Sequence, residues 1–156
     1  MIEELFVRYP QLKECRPDIE NAARTLVDCY QSGGKLLLCG NGGSYADCLH
    51  IAGELMKGFR KKRSLPAEKC AEMLRRSPDL PGWYLQKLQM ALPAIALGGE
   101  SALTTAFCND VDPELCFAQQ VVGYGAAGDV LLCISTSGNA KNVIAAANVA
   151  KGLGLT

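Results

Sequence analysis

Leu36-Leu37-Leu38-Cys39-Gly40-Asn41-Gly42-Gly43-Ser44 is the stretch that decides the fold. Four apolar residues run without polar alternation, as in a strand covered on both faces. Glycines follow, and a helical pattern begins near Tyr45 and continues to Met56. A second stretch repeats the plan: Val130-Leu131-Leu132-Cys133-Ile134-Ser135-Thr136-Ser137-Gly138-Asn139, then a helix over 139–151. In a parallel α/β sheet such loops lie at the carboxyl ends of the strands, where ligands bind. Backbone N–H groups at a helix start, joined by small hydroxyls, suit an anion such as phosphate.

Working outward, residues 3–31 read as two helices divided at Pro10 and Pro17, with Ser32-Gly33-Gly34 closing the second. Strands are expected at 35–39, 94–97 and 129–134. Between the last two, a short helix is expected at 104–108, and Asp112-Pro113-Glu114 opens another over 115–122. Residues 60–92 read as a helical insertion, with helices at 67–76 and 83–90. The basic run from Lys57 to Arg63 ahead of them reads as a solvated loop, or as one arginine reaching a neighbouring subunit's phosphate. Leu153-Gly154-Leu155-Thr156 reads as a glycine cap followed by the first residues of another strand. Strand, loop, helix and strand in this order make a doubly wound α/β domain spanning 1–156.

Composition narrows the function. Sixteen Lys and Arg balance sixteen Asp and Glu, which gives no support to nucleic-acid or membrane-surface binding. The apolar runs are too short to span a bilayer, and Met1-Ile2-Glu3-Glu4 lacks the basic start of a secretion signal, so a cytoplasmic protein is expected. Eight cysteines include no C-x-x-C pair; they read as reduced core residues rather than a zinc cluster or disulfide frame.

Chemistry-bearing residues are few. His50 and Glu54 stand four apart on one helix face, where they can share a metal, act as base and orienting partner, or form an ordinary surface pair. Gly40-Asn41-Gly42-Gly43-Ser44 fails the dinucleotide pattern because Tyr45 stands at the third glycine position. Ser135, Thr136 and Ser137 cap the next helix, hold a ligand, or do both; capping needs only one hydroxyl. Asn109-Asp110 alone reads as a turn.

Taken together and in order, Gly40-Asn41-Gly42-Gly43-Ser44, His50, Glu54, Asn109-Asp110, and Gly128-Asp129-Val130 leading to Ser135-Thr136-Ser137-Gly138-Asn139 resemble a sugar isomerase (SIS) domain of the phosphoheptose isomerase branch. The resemblance implies a flavodoxin-like, three-layer αβα sandwich with a mainly parallel sheet, usually in a homotetramer. It implies isomerisation of sedoheptulose 7-phosphate. Gly42, Gly43, Ser44, Ser135, Thr136 and Ser137 would hold phosphate, and Asn41 and Asp110 would contact the sugar. His50 and Glu54 would bind zinc, with both in the acid–base chemistry and Glu54 moving the proton. Two departures stand out. The family's C-terminal helix, with a glutamine and a second histidine, has no counterpart in these residues, and Ala140 replaces a common phosphate-contacting serine. The other reading the resemblance allows is a non-catalytic SIS module that senses phosphosugars or binds a protein partner.

Overall fold

The computed structural model describes residues 2–156; Met1, part of the N-terminal reading above, lies outside them. Three strands form one parallel sheet: β1 (Leu36–Gly40), β2 (Ala94–Ala96) and β3 (Val130–Ile134), in the order β2-β1-β3. Leu37 pairs with Ile95 on one side and with Leu131 on the other, and the register runs on to Cys39 opposite Cys133 and Gly40 opposite Ile134. All three strands were expected within a residue or two. Every residue of β1 is buried, which its unbroken apolar pattern required.

Helices cover both faces. On one face lie α2 (Arg16–Gln31) and α3 (Gly43–Met56), which pack Leu26, Tyr30, Cys48 and Leu55 around Leu36 and Leu38. On the other lie α6 (Ser101–Asp110), α7 (Cys116–Tyr124) and α8 (Lys141–Gly152), which pack Phe117, Val121, Val143 and Ala146 around Leu37 and Cys39. This alternation is the period-two pleat of β1 read into two separate cores, and the result is the expected three-layer sandwich. A short α1 (Ile2–Arg8) and a 3-10 turn (Pro10–Cys15) precede α2.

The amino-terminal rim of the sheet is tied by charge. Asp129, nearly fully buried, accepts from Lys35 N–H at 2.9 Å, Lys35 Nζ at 2.6 Å and Ala126 N–H at 2.8 Å. Burial pushes its carboxyl up, but these donors and the lysine charge outweigh burial and hold it below the usual value.

The insertion is an arm. Its helices α4 (Ala67–Arg76) and α5 (Gly82–Lys87) stand on two extended legs joined by an antiparallel bridge between Ser64 and Gln89. The basic run is not wholly solvated. Arg63 donates to the Leu55 carbonyl at 2.6 Å and to the Met90 carbonyl at 2.9 Å, clasping the end of α3 to the leg that leads to β2. The Leu55 carbonyl also accepts from Leu92 N–H at 3.0 Å, a second tie between the same two segments. At the other end of the chain, Thr156 donates to the Asp129 carbonyl at 3.0 Å and accepts from Leu131 N–H at 2.8 Å, a third parallel pairing along the outer edge of β3. Among the described residues no helix is long and apolar enough to cross a membrane.

Candidate functional site

Gly40 is where the two loops meet. A Cβ built on it would lie 2.9 Å from the Ile134 carbonyl oxygen and 2.9 Å from Ser44 Cβ. The first turn of α3 and the end of β3 therefore close over a residue that has no room for a side chain. Gly42, at φ +54°, makes the turn into α3 in a conformation that favours glycine. Across the gap, Asn41 and Asn142 exchange amide hydrogen bonds, both at 2.9 Å, so the first loop is coupled to the opening turn of α8.

The hydroxyl triplet is not consumed by capping. Helix α8 begins at Lys141 behind Ala140, which has no side chain to cap with. Within the triplet, Ser137 Oγ accepts from Asn139 N–H at 3.2 Å, a local turn, while Thr136 and Ser137 stand exposed. None of the three hydroxyls caps α8.

A cavity of about 210 Å³ opens at this rim between the loops and α6 and α7. Gly40, Asn41, Gly42, Tyr45, Gly98, Thr104, Cys116, Phe117 and Asn142 line it. Thr104 Oγ1 is buried there and has no hydrogen-bond partner among the described residues, the condition of a hydroxyl that costs free energy until something bonds it. Buried Gln120 steadies the floor by accepting from Gly98 N–H at 2.7 Å. Tyr45, Thr104, Cys116, Phe117 and Asn142 were not singled out from the sequence. Gly43, Ser44 and the triplet lie around the rim rather than in the lining.

Asp110 is placed elsewhere. It ends α6, six residues beyond Thr104 and so ~9 Å further along the helix axis. It is exposed and accepts from Asn109 Nδ2 at 2.7 Å.

His50 and Glu54 project from the far half of α3. His50 Nε2 lies 4.0 Å from Glu54 Oε1, and Lys57 Nζ lies 3.7 Å from the same oxygen. Glu54 Oε2 is buried without a partner among the described residues. Glu54 lines a different and larger cavity of about 740 Å³, together with Glu4, Phe59, Arg60, Lys61 and Arg63. Along α3, Ser44 and Glu54 are ten residues and ~15 Å apart. Among the described residues no cluster of three His, Cys, Asp or Glu is placed to hold a metal. His50 and Glu54 offer two donors where a catalytic zinc takes about three, so the donors of this chain do not by themselves fit zinc.

With this geometry in view, comparison with known proteins gives a consistent answer. The SIS domain family model matches residues 7–76 and 82–156. A phosphoheptose isomerase of Roseiflexus sp. is 39% identical over 139 residues, covering 89% of this chain and 57% of its own length. One from Crocosphaera subtropica is 39% identical over 143 residues, covering 92% and 59%. The chain thus spans less than two thirds of these curated relatives. Among solved structures, a phosphoheptose isomerase from Francisella tularensis superposes with TM-score 0.71 and 31% identity, covering 99% of this chain and 70% of that one. That from Neisseria gonorrhoeae gives TM-score 0.63 and 30% identity over 98% and 70%. The chain belongs to the SIS domain family, in the branch that contains the phosphoheptose isomerases.

Proposed function

We propose that this chain serves an aldose–ketose isomerase of a phosphorylated sugar, with sedoheptulose 7-phosphate as the substrate. The observation that carries the reading is the convergence of the two loops over Gly40, which gathers helix-start N–H groups and uncommitted hydroxyls at one rim. Ser44, Ser135, Thr136 and Ser137 hold the phosphate there, and Asn41, steadied by Asn142, orients the sugar. Isomerisation moves a proton between adjacent carbons through an enediolate. Glu54 Oε2, buried and unbonded, takes that proton and returns it to the neighbouring carbon. His50 sits beside it as the partner that donates toward the developing oxyanion. Zinc joins this proposal only where a further donor, from outside these residues, completes the pair.

The cavity at the loops and the cavity at Glu54 share no lining residue, so the reading places the loops of one copy with Glu54 of another, in a homo-oligomer, with a tetramer favoured. Helix α3 carries a surface for this: Ala46, Leu49, Gly53 and Met56 form an exposed small and apolar stripe at helical spacing, beside His50. The test is turnover of sedoheptulose 7-phosphate by the purified protein and by Glu54→Gln. We expect the variant to lose ~10²–10⁴-fold in rate while still binding the sugar phosphate. Binding without turnover in both forms favours the second reading, a non-catalytic phosphosugar-binding module. The opening of Glu54 into its own cavity, away from the loops, is the observation on that side.

A further inference from the structure

Cys39 and Cys133 are partners in the parallel register of β1 and β3, so their side chains share one face of the sheet. Their sulfurs are 3.6 Å apart, with Cys39 S–H donating to Cys133 Sγ. Neighbouring strands lie ~4.8 Å apart, inside the Cα separation that a disulfide spans. The two thiols differ in access. Cys39 is fully buried, whereas Cys133 lines a cavity of about 280 Å³ between β3, α8 and Leu155-Thr156, with Lys151 also in its lining. They differ in acidity as well. The hydrogen bond from Cys39 holds the Cys133 thiol below its usual value against burial, and the same bond with burial pushes Cys39 up. Neither residue belongs to the loops or to the His50–Glu54 pair.

We propose that Cys39 and Cys133 are a hydroperoxide-responsive dithiol, Cys133 meeting the oxidant from the cavity and Cys39 closing a reversible disulfide between β1 and β3. The Cys133 sulfur attacks one peroxide oxygen, the O–O bond breaks and an alcohol (water, for hydrogen peroxide) departs, leaving a sulfenic acid. The Cys39 sulfur then attacks the Cys133 sulfur. The S–O bond breaks, the oxygen leaves as water with the Cys39 proton, and the S–S bond forms. In sum, two thiols and one hydroperoxide give one disulfide, one alcohol and one water. The sulfurs have to close from 3.6 Å to the ~2 Å bond, between residues already paired in register.

The experiment is a hydrogen peroxide titration of the purified chain, read by mass spectrometry of non-reduced peptides. We expect a Cys39–Cys133 cross-link to form before buried Cys48 and Cys116 are modified, and to reopen on adding dithiothreitol. Cys39→Ser, with its fold checked by circular dichroism, should trap a dimedone-reactive sulfenic acid on Cys133. Cys133→Ser should leave Cys39 unmodified. The proposal is overturned if wild-type Cys133 stays reduced after exposed Cys15 has been oxidised, or if the disulfide maps to Cys108 and Cys116. Because the wild-type mapping decides without any substitution, a variant that fails to fold does not shelter the idea.

Discussion

The two ends of α3 serve different purposes by different means. The first turn is set by backbone: Gly42 makes the bend and Gly40 admits the Ile134 carbonyl and Ser44 within 2.9 Å of where a side chain would begin. The far end is set by side chains: Glu54 with an unbonded oxygen, His50 and Lys57 beside it, and Arg63 clasping the carbonyl of Leu55. The backbone-set end lines one cavity and the side-chain-set end lines another. On the proposed reading, the helix sorts binding from chemistry by distance, and a second copy brings them together again.

The strongest way to break this picture is to place the two ends in different copies. A Glu54→Gln protein and an Asn41→Ala protein, each inactive, are unfolded together and refolded as mixed oligomers. We expect activity to rise from background to within about tenfold of wild type, a gain of one to three orders of magnitude given the scale of base removal. No recovery would put both ends of the helix in one copy's site.

A smaller effect is expected at the opposite rim, which serves as a control for stability without binding. Asp129→Ala leaves Lys35 and two N–H groups without their acceptor and should cost about 3 kcal/mol in chemical denaturation. The sign of its pH dependence follows from the lowered carboxyl. The contribution is full above the unfolded value near ~3.9 and is lost as pH falls through the lower folded value. The variant should therefore show a flatter acid limb than wild type in a pH series of denaturation curves. A loss of phosphosugar affinity beyond the loss of folded protein would show that the two rims are not independent.

The smallest change sharpens the cradle itself. Gly40→Ala forces a methyl against a backbone oxygen and should lower stability by about 1–3 kcal/mol and weaken phosphosugar binding. Gly42→Ala enters open space and meets only the strain of φ +54°, a cost of about 1 kcal/mol. Thermal shifts with and without the sugar phosphate separate the two. Equal costs would mean that the crowding over Gly40 is not what fixes the loops.

Much of this architecture was legible from residue patterns. The apolar runs at Leu36–Cys39 and Val130–Ile134 both read as strands; the first is buried throughout, whereas Leu132 of the second is exposed, so the expected cover on both faces holds for β1 alone. Helix α4 was read with its observed ends because Pro66 and Ser77 punctuate it. Elements bounded by weaker signals shifted. Helix α6 runs from 101 to 110 rather than 104 to 108, and Asn109-Asp110, read as a turn, is its last turn. The cavity lining was largely hidden. Thr104, Cys116 and Asn142 come from three separate helices, and only the closing of the sheet brings them to Asn41. Arg63 was hidden for a related reason. Its partners are main-chain carbonyls of two segments distant in sequence, and side-chain patterning does not announce which carbonyls the fold brings within an arginine's reach.

The Arg63 clasp has a consequence for how this chain tolerates change. Because it seals the end of α3 to the leg before β2, the traffic of the main chain through α4 and α5 becomes a detour that starts and finishes at nearly the same place. A detour of that kind can be lengthened, shortened or decorated without the sheet registering it. The family model leaves a gap at 77–81, the corner between the two arm helices. That corner is the natural point for a graft, such as a reporter peptide or an affinity handle, while Glu54, next to the clasped Leu55 carbonyl, keeps its aim.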